Sequence, residues 1–300
     1  MRVLDIDLVE FSKGVNFMKE GQHLEHQPER RDWLSRFSWL EPRGCLIFLL
    51  CISPILASLA FAIVGGVHPH MQYKTRFADS AVFDKSGRRI YRISYFGDSL
   101  VDFTDRDFGF ITTEINVLQS LFPNVAFDAY SSGVSGDKVA NLLERVQRDV
   151  IVHNPRCIIV YFDSDASGPS DALDGAVRQR YESNLRLLLG ILTRQAPGCV
   201  ALAGPSLHGE FPCGSGLNRR DDIYDAYRDI NARVALQFNN FTFFDTRDIF
   251  CRKLREAGWM AYQGCFTYDG EHHNGAGCNV ISSLFLDYLV QKFSTILSQQ

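Results

Sequence analysis

The sequence has no excess of basic residues, because 35 Asp and Glu outnumber 31 Lys and Arg and the net charge is −4. A nucleic-acid-binding domain usually carries a basic stripe, so nucleic acid is not expected as a partner. No Cys-x-x-Cys pair occurs among the eight cysteines, which argues against a zinc ribbon or a thioredoxin-like site. No internal repeat is visible. With 46% hydrophobic residues, the chain has the composition of a globular protein and not of a disordered one.

One segment, Cys45 to Val67, has no charged residue at all. As a helix rising about 1.5 Å per residue, it would span about 35 Å, which is enough to cross a bilayer core. Because 44 residues precede it, the segment is predicted to be an uncleaved signal-anchor, since cleaved signal peptides usually begin nearer the N-terminus. A cleaved signal peptide and a buried core helix remain the alternatives.

The charges on either side of this segment predict its orientation. Four arginines lie between positions 30 and 43, whereas only Lys74 and Arg76 follow the segment at a similar distance. The positive-inside bias therefore predicts a single-pass type II membrane protein of the secretory pathway or cell surface. Its predicted parts are a cytosolic tail (1–44), the signal-anchor (45–67), a linker (68–87) and a lumenal or extracellular catalytic domain (88–300). Six cysteines lie beyond the anchor, and the sequence does not choose among their pairings.

Strand and helix patterns alternate beyond the linker. The predicted strands are short and apolar, as the buried strands of parallel sheets are, and they lie at 90–96, 124–130, 157–162, 199–203 and 241–244. The predicted helices lie at 111–121, 138–152, 176–193, 221–238 and 277–298. This alternation predicts an α/β domain in which helices cover both faces of a parallel sheet.

Four polar blocks lie where such a sheet would collect its chemistry, at the carboxyl ends of the strands or before the last helix. They read GDSL at 97–100, SSGVSGD at 131–137, DSD at 163–165 and DGEH at 269–272. A serine hydrolase needs a nucleophile, a histidine base and a carboxylate that orients the histidine. Ser99 is the candidate nucleophile, His272 the candidate base and Asp269 the candidate carboxylate. Asp269 and His272 are three positions apart on one loop.

In block order and spacing, residues 90–298 resemble the SGNH, or GDSL-type, hydrolase superfamily. The resemblance implies a flavodoxin-like three-layer α/β/α sandwich in which Ser99 is the nucleophile, His272 the base and Asp269 its orienter. It also implies that the amides of Ser99 and Gly133 donate to the oxyanion. The implied activity is hydrolysis of carboxylic esters through an acyl-serine intermediate, with neither a metal nor an organic cofactor. The predicted lumenal placement at a membrane makes O-acetyl glycans and acyl lipids the reachable esters, and the resemblance does not choose between them.

The third block departs from the family pattern, which is usually Gly-x-Asn-Asp. Ser164 takes the place of the Asn that completes the oxyanion hole, and Phe162 takes the place of the Gly. The Ser164 hydroxyl is the expected third donor, although its side chain is shorter, and loss of one such donor typically costs about 10²–10³ in rate. Asp163 adds negative charge nearby. The pattern therefore leaves open an enzyme of reduced activity, or a catalytically degraded lumenal binding protein of the same fold.

The DSD tripeptide supports a less favoured alternative. In membrane-anchored glycosyltransferases, a DxD pair holds a divalent cation against a nucleotide-sugar. That interpretation leaves the blocks at 97–100, 131–137 and 269–272 unexplained. Three other residues receive structural interpretations: Asp98 is expected to bond to nearby backbone, His208 to lie on a loop, and His273 to face solvent.

Overall fold

The computed structural model of the chain describes residues 81–102, 109–168, 172–211, 213–216, 218, 220–257 and 264–299. The predicted cytosolic tail and signal-anchor lie outside the described residues, as does most of the predicted linker. Their assignment therefore stays a prediction.

Five strands form one sheet in the order β2-β1-β3-β4-β5, and all neighbouring strands are parallel. The strands are β1 (Ile90–Gly97), β2 (Ala126–Gly133), β3 (Cys157–Tyr161), β4 (Val200–Ala203) and β5 (Phe241–Phe244). All five residues of β3 and all four residues of β4 are buried, as expected of strands covered on both faces. The predicted parallel sheet is confirmed, and each of its five strands lies within a few residues of its predicted position.

Eight α-helices connect or follow the strands of the described part of the chain. They are α1 (Ser99–Asp102), α2 (Phe110–Leu121), α3 (Val139–Asp149), α4 (Ser164–Ser167), α5 (Gly175–Gln195), α6 (Asp221–Ala235), α7 (Thr246–Ala257) and α8 (Gly275–Ser298). The helix predicted at 138–152 ends at Asp149, and one turn of 3₁₀-helix follows at Ile151–His153. The predicted helices do not include α1, α4 or α7. The first two have four residues each, which are too few to show a helical period.

Two hydrophobic clusters separate the helices into two layers. On one face of the sheet, apolar side chains of α2, α7 and α8 pack against alternate residues of β1 and β3, among them Tyr95 and Ile159. On the other face, α3, α5 and α6 pack against residues of the opposite alternation, among them Phe96 and Val160. This is the three-layer α/β/α sandwich predicted from the sequence.

Among the described residues, α8 is the one helix long and apolar enough to cross a membrane, with a mean hydropathy of 1.3. Its side chains Ile281, Phe285 and Leu289 are fully buried in the cluster that includes β1 and β3. A helix that packs one side against a sheet in this way is part of the core of the domain.

Two disulfides link elements of the domain. Cys157 at the start of β3 is bonded to Cys199, which directly precedes β4. Cys213, in the loop after β4, is bonded to Cys251 of α7. Cys265 and Cys278 are free. The first bridge therefore joins neighbouring strands, and the second fastens the loop after β4 to the helix layer.

Candidate active site

The first three polar blocks converge because their strands end at the same level of the sheet. In the register of the parallel strands, Gly97 pairs with Gly133 on one side and with Tyr161 on the other. Ser99 lies two residues beyond Gly97, and Ser164 lies three residues beyond Tyr161. The carboxyl edge of the sheet therefore holds the nucleophile candidate and two of the predicted oxyanion residues together.

Two of the glycines in these blocks are required by close backbone contacts. A Cβ atom on Gly97 would lie 1.8 Å from the carbonyl oxygen of Tyr161. A Cβ atom on Gly133 would lie 2.1 Å from the backbone nitrogen of Asp102, at the end of α1. Only glycine fits at such an approach. Gly133 thus allows the turn that carries Ser99 to pack directly on β2.

Ser99 is the first residue of α1 and is only 6% exposed. The turn is closed by Asp98, whose carbonyl oxygen accepts hydrogen bonds from the N–H groups of Val101 and Asp102. One carboxylate oxygen of Asp98 also accepts from the N–H of Leu100 at 3.0 Å. The backbone around Ser99 is therefore held by the residue before it.

The second carboxylate oxygen of Asp98 binds the third block. It accepts from the backbone N–H groups of Asp163 and Ser164, each at 2.8 Å, and from the Ser164 hydroxyl at 2.6 Å. Burial raises the pKa of Asp98, although these hydrogen bonds oppose the rise. Asp98 therefore bonds to nearby backbone, as expected. It also bonds to the two residues, Asp163 and Ser164, that come shortly after β3.

The contact with Asp98 bears on the predicted role of Ser164. A hydroxyl group has one proton, and that of Ser164 is directed at Asp98. Ser164 can therefore donate to an oxyanion only by leaving Asp98, and its role as third donor stays a prediction.

The fourth block brings its acid and its base together. The Nδ1 atom of His272 lies 2.6 Å from Oδ2 of Asp269, and Oδ1 of Asp269 accepts from the N–H groups of Glu271 and His272. Burial opposes ionisation of Asp269, but the hydrogen bonds from His272 and Glu271 outweigh it and lower the pKa of the carboxyl group. The ring of Tyr268 stacks on that of His272, with centroids 5.8 Å apart. The pair is therefore preformed.

The loops of Ser99 and His272 meet at the buried carboxyl group of Asp163. Burial raises the pKa of this group well above its ordinary value, and the charges of neighbouring Asp98 and Glu271 raise it further. Asp98 precedes Ser99, and Glu271 precedes His272, so both loops come close to Asp163. Among the contacts of the described residues, none is a hydrogen bond between Ser99 and His272. Catalytic hydrogen bonds are commonly long in substrate-free enzymes.

His208 lies on the loop after β4, as expected, and borders this region. Its Nδ1 atom is 3.9 Å from a carboxylate oxygen of Glu271, and its ring lies 5.7 Å from that of Tyr224. Burial lowers the pKa of His208, although the charge of Glu271 opposes this shift. His208 is thus a neighbour of the loop that carries His272.

The expectation that His273 faces solvent is wrong. Its ring stacks between those of Phe250 and Tyr161, and its Nε2 atom is hydrogen-bonded to the Tyr161 hydroxyl. Burial lowers its pKa to about 3. The ring of His273 therefore packs in the core between β3 and α7.

Two carboxyl groups near the site make contacts that the sequence pattern does not show. Asp165 accepts a hydrogen bond from the N–H of Val139 at 2.7 Å, which joins the third block to the start of α3, and burial raises its pKa to about 7. Glu210 accepts several hydrogen bonds from the loop that leads to Asp269. The partners of Glu210 lie at least 55 residues away along the chain, so no local pattern reveals them.

A cavity of about 470 Å³ adjoins Asp269. Two partly exposed aromatic side chains, Phe211 and Tyr268, line it together with the backbone of Gly209 and Gly270. Ser99 is not among its lining residues. Nor is His272, so the cavity borders Asp269 of the candidate site and not the reacting atoms.

Comparisons with known proteins give matches among solved structures. The acetyl xylan esterase AlAXEase is 22% identical with a TM-score of 0.58, and the match covers 67% of this chain and 98% of that one. A catalytic mutant of Axe2, an acetylxylan esterase from Geobacillus stearothermophilus, is 21% identical with a TM-score of 0.55 over 66% and 93% of the two chains. The chain shares the fold of these two esterases. LAE5, an alpha/beta hydrolase from the metagenome of Lake Arreo in Spain, is 24% identical with a TM-score of 0.54 over 66% and 94%. No protein-family model and no curated protein matches the chain.

Proposed function

We propose that the chain is a serine esterase that hydrolyses carboxylic esters through an acyl-serine intermediate. Ser99 is the nucleophile, His272 the base and Asp269 the acid that orients it. The observation that carries the proposal is the 2.6 Å contact between His272 Nδ1 and Asp269 Oδ2, on a loop that meets the Ser99 loop at Asp163. A carboxylate bound to Nδ1 leaves Nε2 of the same ring to accept a proton.

The reaction follows from these roles. His272 Nε2 accepts the hydroxyl proton of Ser99 while Oγ attacks the ester carbonyl carbon, and the negative charge moves to the carbonyl oxygen. The amides of Ser99 and Gly133 are proposed to hold this oxyanion. The C–O bond then breaks, and the alcohol leaves with the proton from His272. Water attacks the acyl-serine in the same way and releases the acid.

The catalytic mutants among the matched structures support this assignment. They replace a serine, an aspartate and a histidine of Axe2 by alanine, and the aspartate and the histidine are three positions apart. Asp269 and His272 have the same separation. From this shared spacing and fold we infer the same roles for Asp269 and His272 in this chain.

An O-acetylated glycan is the proposed substrate class. His272 must protonate the leaving alcohol, so the alcohol part of the ester lies on its side of the site. The cavity beside Asp269, on the loop that carries His272, is the proposed place for it, and the aromatic side chains of Phe211 and Tyr268 line this cavity as they do in small-molecule sites. An acyl lipid is the alternative substrate. Both are reachable for a type II membrane protein with a lumenal or extracellular domain, a location that the two disulfides support.

A fluorophosphonate probe tests the nucleophile on the full-length protein in detergent. The wild type is expected to be labelled, and peptide mapping is expected to place the label on Ser99. Ser99→Ala should not react, whereas Ser183→Ala, which removes an exposed serine hydroxyl of α5, should react like the wild type. Labelling that persists in Ser99→Ala would reject Ser99 as the nucleophile.

A catalytically degraded binding protein is the second candidate, because the Ser164 hydroxyl is directed at Asp98 and not toward an oxyanion. Absence of labelling in the wild type, together with binding of an acetylated oligosaccharide, would favour it. The glycosyltransferase alternative gains no support. The carboxyl group of Asp163 lies beside Asp98 and Glu271, whereas that of Asp165 binds the N–H of Val139.

Ser164→Ala separates the two possible roles of the Ser164 hydroxyl. We expect the variant to lose about 1–3 kcal/mol of unfolding free energy, because a buried hydrogen bond to Asp98 is removed. We expect kcat for p-nitrophenyl acetate to change less than about threefold, since a lost oxyanion donor would instead cost about 10²–10³. Urea unfolding and steady-state kinetics measure the two effects. A hundredfold fall in kcat would make Ser164 an oxyanion donor.

A further inference from the structure

The loop after β4 is joined to the loop that carries Asp269 and His272. The N–H of Gly209 donates to the carbonyl oxygen of Gly270 at 2.6 Å. A Cβ atom on Gly270 would lie 3.3 Å from the backbone of Gly209, so the two chains run in close contact. The position of the loop that carries Asp269 and His272 therefore depends on residues some sixty positions earlier in the chain, in the loop after β4.

Glu210 forms the centre of this junction and is only 5% exposed. One of its carboxylate oxygens accepts from the N–H of Cys265 at 2.7 Å. The other accepts from the N–H of Phe266 at 2.6 Å, and from both the N–H and the hydroxyl of Thr267. Three successive amide groups therefore point at a single carboxylate. Such an arrangement is an anion-binding nest, and hydrogen bonds to an ionised group are the stronger ones.

The nest is connected to Asp269 by a short chain of contacts. The hydroxyl oxygen of Thr267 accepts from the N–H of Gly270 at 3.1 Å, directly after Asp269. The N–H of Tyr268 donates to the carbonyl oxygen of His272, also at 3.1 Å. Thr267 and His273 face each other as an antiparallel bridge. The segment 267–273 is thus a closed turn that carries Asp269 and His272, and Glu210 binds the backbone where this turn begins.

We propose that Glu210 is a positioning residue that fixes the Asp269–His272 pair for catalysis. This rests on the proposed esterase function. Glu210 lines the cavity beside Asp269, but its carboxylate oxygens bind the N–H groups of the loop, and it acts by holding the backbone from which the pair projects. The geometry explains why a carboxylate is buried at this place, since its charge is matched by the N–H dipoles of the loop. A displacement of about 1 Å at a reacting group can cost a hundredfold in rate.

Glu210→Gln in the full-length protein tests the proposal. The carboxamide keeps the size of the side chain, but its NH₂ group faces amide donors and cannot accept from them. We expect kcat for p-nitrophenyl acetate to fall by about 10–100-fold with KM nearly unchanged, because the displaced pair impairs the chemical step and not binding. Glu210→Asp keeps both acceptor oxygens and should recover part of the loss.

Nuclear magnetic resonance of the histidine rings gives a readout that needs no activity. With the His272 signal assigned through His272→Ala, we expect its Nδ1 proton resonance to lose the downfield shift of a carboxylate-bound imidazole in Glu210→Gln. Glu114→Gln is the matched control, since Glu114 is a fully buried carboxyl group that is bonded to Tyr95 in the core. It should leave both the resonance and kcat as in the wild type.

The outcomes separate the positioning role from a merely structural one. A lower melting temperature with unchanged kcat and an unchanged His272 resonance would overturn the proposal. If the wild type has no esterase activity, the proposed function fails, but the His272 resonance still decides whether Glu210 positions the pair.

Discussion

Replacing His272 by alanine is expected to lower kcat for hydrolysis of p-nitrophenyl acetate by about 10⁶-fold, the scale seen when a serine hydrolase loses its base. Without the imidazole, nothing accepts the Ser99 proton in the first step or protonates the leaving alcohol in the second. KM should change little, because His272 acts on the reacting atoms and not on the bound ester. Steady-state kinetics on the purified full-length protein, with single-turnover assays for the slow variant, measure the loss.

Two further variants make this result specific. Asp269→Asn is expected to lower kcat by about 10⁴, because the amide no longer fixes the tautomer in which Nε2 accepts a proton. His153→Ala removes a histidine whose ring packs at a tilt against that of Tyr130, far from the fourth block in sequence, and should keep the wild-type rate. A His272→Ala variant with more than about a hundredth of the wild-type kcat would exclude His272 as the general base.

The sequence predicted those parts of the site whose geometry is local. Asp269 and His272 are three positions apart, and the turn between them is closed by their own backbone and side-chain groups. Gly97 and Gly133 come at the ends of neighbouring parallel strands, so their convergence follows from the strand pattern alone. The sheet and its layers could be predicted for the same reason, since alternating short strands and helices admit few other arrangements.

The parts that could not be predicted depend on contacts between distant segments. The direction of the Ser164 hydroxyl is decided by Asp98, 66 residues earlier. The burial of His273 is decided by Phe250 of α7 and Tyr161 of β3, so a comparison of motifs placed it wrongly in solvent. A side chain next to a catalytic residue is not exposed merely because its neighbour is. Its environment follows from how α7 and α8 pack on the sheet.

Arg145 of α3 connects the two strand ends that carry Ser99 and Gly133. Its guanidinium group is buried and donates to the carbonyl oxygen of Gly97 at 2.7 Å. It also donates to the carbonyl oxygen of Ser132 at 2.9 Å and to its hydroxyl at 3.0 Å. Asp137 and Asp149 balance the charge, at 2.6 and 3.1 Å. One side chain therefore satisfies two backbone carbonyl groups at the edge of the sheet, directly beneath the site.

Arg145→Met is expected to lower the free energy of unfolding by about 3–5 kcal/mol, as is usual when one partner of a buried charge network is removed. The loss has two sources: Asp137 loses its cation, and the carbonyl oxygens of Gly97 and Ser132 lose a donor that water cannot easily replace. Arg145→Lys should recover only part of the loss, because an ammonium group cannot reproduce the fork that reaches both strands. Urea unfolding measures the three proteins.

Arg148→Met is the matched control for this prediction, since Arg148 pairs with the same Asp149 through a side chain that is 75% exposed. An exposed ion pair contributes about 0–1 kcal/mol, so this variant should unfold nearly as the wild type does. Equal losses in the two variants would show that the bonds to Gly97 and Ser132 contribute nothing. A large loss in Arg145→Met alone, accompanied by slower fluorophosphonate labelling below the unfolding transition, would show that one buried arginine supports both the sheet edge and the geometry around Ser99.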